Sequence, residues 1–97
     1  MGGRYEKGFV IIRDVLYGYY GDDAVVFVPE NVTAISGGAF ADCEQLIEIY
    51  IPDSVCYIGE NAFSGCFNLT ILASADSSTK EYAEENWINF DYIKREV

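Results

Sequence analysis

Apolar side chains recur along this chain with two periods, one of two residues and one of 23. The short period is clearest in LIEIYIP, where from Glu48 onward Ile49 and Ile51 fall on one side and Glu48 and Tyr50 on the other. Such alternation predicts a short strand, ended by Pro52, which lacks the amide hydrogen a ladder needs. The long period appears when VPENVTAISGGAFADCEQLIEIY, from Val28, is set over IPDSVCYIGENAFSGCFNLTILA, from Ile51. Pro29 then lies over Pro52, Val32 over Val55, Ile35 over Ile58, Ala39 over Ala62 and Phe40 over Phe63. Cys43 lies over Cys66, Leu46 over Leu69 and Ile49 over Leu72. Identity falls almost only at apolar or small positions, the mark of successive turns of chain that bury their side chains against each other. In each turn the strand is expected to lead into a corner, PDSVCYIG, that buries Val55 and Ile58. The Phe of the Ala-Phe pair then inserts beneath the outer wall, and Leu69 leads into the next strand. Equivalent strands should lie side by side in parallel, about 4.8 Å apart.

A stack of turns exposes core and strand edge at both ends unless something closes them. FVIIRDVLYGYY predicts two short strands around Arg13-Asp14, placed to cover the first turn. In SSTKEYAEENW, Ser78 and Glu81 have capping-box spacing for a short helix, and WINFDYI adds a last strand. The expected layout is one domain over 1–97. It comprises an N-terminal hairpin cap (9–27), two repeats (28–50 and 51–73) and a C-terminal helix and strand cap (77–97). The class is α/β, rich in β. Carrying both lids favours a complete small domain over a slice of a longer array.

Charge narrows the partners. The 97 residues are 51% hydrophobic, enough to supply a core, and carry a formal net charge of −10. No Lys or Arg occurs between Asp14 and Thr79, while acidic residues recur throughout. Phosphate backbones and anionic membranes need cationic contacts, so the sequence argues against direct nucleic-acid binding and membrane adsorption. No run approaches the roughly 20 apolar residues of a membrane span. The opening MGGRYEKGF lacks the apolar core of a secretion signal, and Glu6 stands where myristoylation needs Ser or Thr. Two locations stay open: cytoplasmic for a full-length chain, extracellular or cell-surface for a processed or excised one.

The chemistry-bearing residues are few. There is no histidine, so the commonest general base is missing, and the acids are scattered over different turns. Cys43, Cys56 and Cys66 are an odd number without a Cys-x-x-Cys pair, a poor basis for zinc or a disulfide framework. Cys43 and Cys66 read as one structural slot in successive turns. Parallel Cβ vectors there would hold their Cβ atoms beyond the ~3.5–4.5 Å of a bridge. Gly21-Asp22-Asp23 lacks the ligand series of a calcium loop and reads as a solvated turn. Asn31-Val32-Thr33 and Asn68-Leu69-Thr70 fit glycosylation triplets, relevant only in a secretory pathway. No catalytic set, metal site or cofactor is expected.

IPDSVCYIGENAFSGCFNLTIL resembles the BspA-like class of leucine-rich repeats, named after a bacterial surface antigen. The motif of that class is Ile-Pro-x-x-Val-x-x-Ile-Gly-x-x-Ala-Phe-x-x-Cys-x-x-Leu-x-x-Ile. Residues 51–72 match the signature positions, with Leu72 conservatively in the last Ile place; residues 28–49 depart at Ser36, where the class has Gly, and Val28 for Ile is conservative. FVIIRDVLYGYYGDDAVVFVPENVTAI resembles the lead-in of such domains, and EYAEENWINF their C-terminal end, with Trp87 where Gly is common. The likeness covers about residues 9–92. It implies a short right-handed leucine-rich-repeat solenoid with parallel strands on its concave face, and an association with cell surfaces and adhesion.

On that wall, strand parity places Glu48 and Tyr50 outward, with Val25 and Phe27 one turn earlier and Ile71 and Ala73 one turn later. The expected rows are Val25–Glu48–Ile71 and Phe27–Tyr50–Ala73, contiguous apolar and aromatic surface of the kind that marks an interface. Three readings follow: a non-catalytic module binding a protein partner, a self-associating structural protein, or a wall covered by the hairpin or the C-terminal tail. The charge adds another, a small acidic inhibitor occupying a basic nucleic-acid-binding groove on a second protein.

Overall fold

Arg13 and Asp14 take φ of 51° and 65°, the left-handed pair that a two-residue type I′ hairpin turn demands. They join the antiparallel strands β1 (Phe9–Ile12) and β2 (Val15–Tyr19). In this computed structural model, residues 8–75 and 77–93 are described. The pairing slips between Val10 and Ile11, which face Gly18 and Leu16. That irregularity rephases β2, so Leu16 and Tyr19, three residues apart, both reach the core.

The remaining elements are β3 (Val25–Phe27), β4 (Ala34–Ile35), β5 (Glu48–Tyr50), β6 (Tyr57–Ile58), β7 (Thr70–Ala73), α1 (Ser78–Glu85) and β8 (Asn89–Tyr92). They form two four-stranded sheets, ordered β1-β2-β4-β6 and β3-β5-β7-β8, and every pairing except β1–β2 is parallel. The strand expected around Ile49 is β5, with Ile49 and Ile51 fully buried.

The 23-residue period is visible in the hydrogen bonds. Val32 N–H donates to Pro29 O and Val55 N–H to Pro52 O, each at 3.1 Å, so the two corners after proline fold alike. One turn then ties to the next through Cys56 N–H to Thr33 O (2.9 Å) and Gly59 N–H to Ile35 O (2.8 Å). Phe40 N–H donates to Ala62 O (2.7 Å) and Asp42 N–H to Ser64 O (2.6 Å). The approach is so close at Gly59 that a Cβ there would collide with the backbone of Gly37. The aligned Ser36 is half-buried with its N–H on Leu16 O (2.9 Å), and its side chain is accommodated.

Through the core runs a column of rings. Centroids of Phe9 and Tyr19 are 5.3 Å apart, Tyr19 and Phe40 5.4 Å, and Phe40 and Phe63 5.3 Å at 16°; Tyr82 meets Phe63 edge-on at 6.2 Å. Phe40 and Phe63 therefore occupy adjacent equivalent places, as the repeat requires.

Two local expectations are corrected. Helix α1 has Ser77, not Ser78, at its N-cap, and no side chain caps it; Ser77 Oγ donates instead to Ser74 O at 2.8 Å. Burial of Thr79 and Ala83, one turn apart on one face, sets the helix position over the capping-box spacing. The second correction concerns register. β5 pairs β7 as Glu48↔Thr70, Ile49↔Ile71 and Tyr50↔Leu72, so Ile49 meets Ile71 rather than Leu72. After Leu46 an extra residue, Ile47, intervenes before the strand, and Ile47 and Glu48 N–H both donate to Ala24 O (2.7 and 3.1 Å). Leu69 runs straight into β7. Because strand side chains alternate, one residue of slip exchanges the two faces.

Candidate functional site: the open face of the second sheet

The register decides which side chains stand on the outward face of β3-β5-β7-β8. One row is Val25, Glu48, Thr70 and Asn89; the other is Phe27, Tyr50, Leu72 and Asp91. Val25, Phe27, Glu48 and Tyr50 are on this face as the sequence indicates. Ile71 and Ala73 are not: both are fully buried, and Thr70 and Leu72 take their places. The slip after Leu69 is the reason.

Phe27 is 64% exposed and Val25 41% exposed on the outer strand β3. The ring of Phe27 lies almost parallel to Tyr50, 4.5 Å between centroids at 11°. This stack fixes the orientation of both rings, so presenting them to a partner costs little side-chain entropy. Ile47, 51% exposed, and Tyr92, 49% exposed, are further large apolar side chains left accessible in or beside this sheet. The hairpin does not lie over the face; it extends the other sheet. The C-terminal tail from residue 94, the other proposed cover, lies outside the described residues.

Glu48 and Asp91 bring carboxylates to the face. Among the described residues the one ion pair is Lys80–Glu84, at 3.7 Å on α1. No group of three or more His, Cys, Asp or Glu is arranged for a metal among the described residues. No helix among them is long and apolar enough to cross a membrane.

The three thiols are free. Cys66 Sγ donates to Phe40 O across the turns at 3.1 Å, which gives the repeated cysteine a tie between neighbours. Burial pushes the Cys66 thiol from 9.0 up to about 11 and raises Cys43 as well, while Cys56 is exposed. The reactive species is the thiolate. At pH 8 a thiol of that acidity is only ~0.1% ionised, so alkylation by iodoacetamide is expected to label Cys56 first and Cys66 far more slowly. Labelling of Cys66 should quicken as pH rises toward 11. The unfolded thiol ionises first, so this group's contribution to stability is present below pH 9 and fades between 9.0 and about 11. Peptide mapping by mass spectrometry checks the order.

Parallel strands repeated at near-constant steps, buried apolar positions in register and an exposed face on one sheet define a leucine-rich repeat protein. A family model described as BspA type leucine rich repeat region (6 copies) matches residues 17–94. The chain belongs to the BspA-type leucine-rich repeat family. Neither a curated protein nor a solved structure gives a match. Leucine-rich repeats of this kind typically serve protein interaction rather than catalysis.

Proposed function

We propose that this chain is a non-catalytic protein-interaction module that binds a protein partner through the outward face of β3-β5-β7. In this reading the turns form a short right-handed solenoid, that sheet is its concave wall, and the hairpin and the α1–β8 segment close its ends. The observation that carries the proposal is the Phe27–Tyr50 stack, held in a fixed orientation with Phe27 64% exposed and Val25 beside it. Exposed, pre-oriented aromatic rings are favoured anchors of interfaces. Glu48 and Asp91 at their margin favour a partner surface that carries cations.

The test is affinity capture from the host lysate, followed by purification of the captured protein and calorimetry against variants. Phe27→Ser with Tyr50→Ser should weaken binding by a factor of 30 or more, about 2 kcal/mol, a typical hot-spot loss. Tyr57→Ser, exposed on the other sheet, should leave it unchanged. Equal affinity for both variants would remove the proposal. A complex lost steeply with salt and indifferent to Phe27 would instead favour the acidic-inhibitor reading. Concentration-dependent light scattering without a partner would favour self-association.

A further inference from the structure

The second repeat lays its corner on the first in a definite way, whereas its own far side, covered in part by α1, receives no such corner among the described residues. Carbonyls of Ala62 and Ser64 accept the N–H groups of Phe40 and Asp42, and the Phe63 ring stacks on Phe40. One turn on, the equivalent donors are the N–H groups of Phe63 and Gly65. Among the described residues neither has a backbone or side-chain acceptor. A cleft of about 350 Å³ opens there, between the 61–67 corner and the end of α1. Tyr82 fills only part of the vacated place, edge-on to Phe63 with its hydroxyl donating to Gly59 O at 3.3 Å.

Two of the cleft's walls are aromatic and solvent-facing: Phe67 is 80% exposed and Trp87 95% exposed. Trp87 is doubly unfavourable for folding. Its N–H reaches Glu84 O (3.4 Å) and Ile88 N–H reaches Ala83 O (2.9 Å), the paired bonds of a Schellman helix end. Trp87 therefore occupies the left-handed position of that motif, at φ 59°, where glycine is the unstrained residue. A bulky, exposed side chain in a strained backbone is a cost that packing does not explain. In a chain of net charge −10, moreover, no charged side chain lines the cleft; its polar groups are Asn61, Ser64, Asn86 and Tyr82. The Asp42 carboxylate lies against Gly65 from the first repeat's side and would repel an anion, so the neutral lining matches an uncharged ligand rich in acceptors.

We propose that this cleft binds an uncharged peptide segment that presents two carbonyl oxygens, two residues apart, to the Phe63 and Gly65 amides and packs an apolar side chain between Phe67 and Trp87. The ligand thus reproduces the corner that the second repeat lends to the first, in the way peptides add to unpaired backbone donors elsewhere. The site shares no residue with the open sheet face and stands independently of the function proposed for it.

Trp87 is the single tryptophan of the chain, so its fluorescence reports on this site alone. The probe is N-acetyl-Asn-Ala-Phe-Ser-Gly-amide, titrated to millimolar concentration into the full chain labelled with nitrogen-15. The expected result is a saturable blue shift of Trp87 emission, with the same midpoint as amide shifts at Phe63 and Gly65. Trp87→Gly should keep or raise the thermal midpoint while weakening the amide-detected binding roughly tenfold or more, and Phe67→Ser should weaken it similarly. Phe27→Ser with Tyr50→Ser should leave it unchanged. No saturable shift, a shift of Trp87 without the two amides, or a response to a neutral oligosaccharide in place of the peptide would each overturn the proposal.

Discussion

Phe40→Ala is expected to lower the unfolding free energy by about 3–5 kcal/mol, measured by urea denaturation. Phe40 has no solvent exposure and sits between Tyr19 and Phe63, with ring centroids at 5.4 and 5.3 Å. Removing the ring deletes two aromatic contacts at once and opens a cavity. Tyr19 and Phe63 cannot readily close it. Tyr19 N–H is fixed to Ala39 O at 3.1 Å, and Ala62 O, next to Phe63, to Phe40 N–H at 2.7 Å. Chains of this size have total stabilities of about 5–15 kcal/mol, so the variant should be marginal or unfolded. Phe67→Ala is the contrast: with Phe67 80% exposed, the change should stay within about 0.5 kcal/mol.

The second large effect separates two adjacent residues. Ile71→Asp should abolish folding, whereas Leu72→Asp should cost about 1 kcal/mol. Ile71 is fully buried opposite Ile49 and Phe90 in the parallel ladder. An ionised carboxylate there has no cation to meet, and protonating it still leaves a polar group in the core. Leu72 stands half-buried beside Tyr50 and Asp91 on the outward face, where Asp keeps its water. Circular dichroism and gel filtration of the two variants distinguish them. The opposite ranking would mean that Leu72 faces the core and that the binding rows must be redrawn.

Much of this architecture can be read directly from the residues. Ala39/Ala62, Phe40/Phe63 and Leu46/Leu69 repeat because one turn's packing dictates the next, and identity is strongest where burial is deepest. The hairpin was legible from apolar runs on either side of Arg13-Asp14. The face of β7 was not, for a physical reason. Thr70-Ile71-Leu72-Ala73 has apolar residues at both parities, so alternation permits either face inward. What decides is the bulge at Ile47, present after Leu46 and absent after Leu69, and that depends on where Ala24 O lies. The helix start was ambiguous for a similar reason. Ser77 and Ser78 are chemically alike, and the burial of Thr79 and Ala83 chooses between them. Two of the three members of each expected outward row stand on that face, Val25 with Glu48 and Phe27 with Tyr50, while the last members are exchanged for Thr70 and Leu72. Trp87 differs again. Its departure from the glycine common at the C-terminal end of this family was visible in the sequence, but its exposure and left-handed backbone were not.

The candidate face depends on stacking and register together, and one nuclear Overhauser experiment reads both. Labelled aromatic and isoleucine protons should give cross-peaks between the rings of Phe40 and Phe63, and between Ile49 and Ile71 across β5 and β7. Absence of the ring contact, or an Ile49 side chain packed beside Leu72 in place of Ile71, would contradict the account.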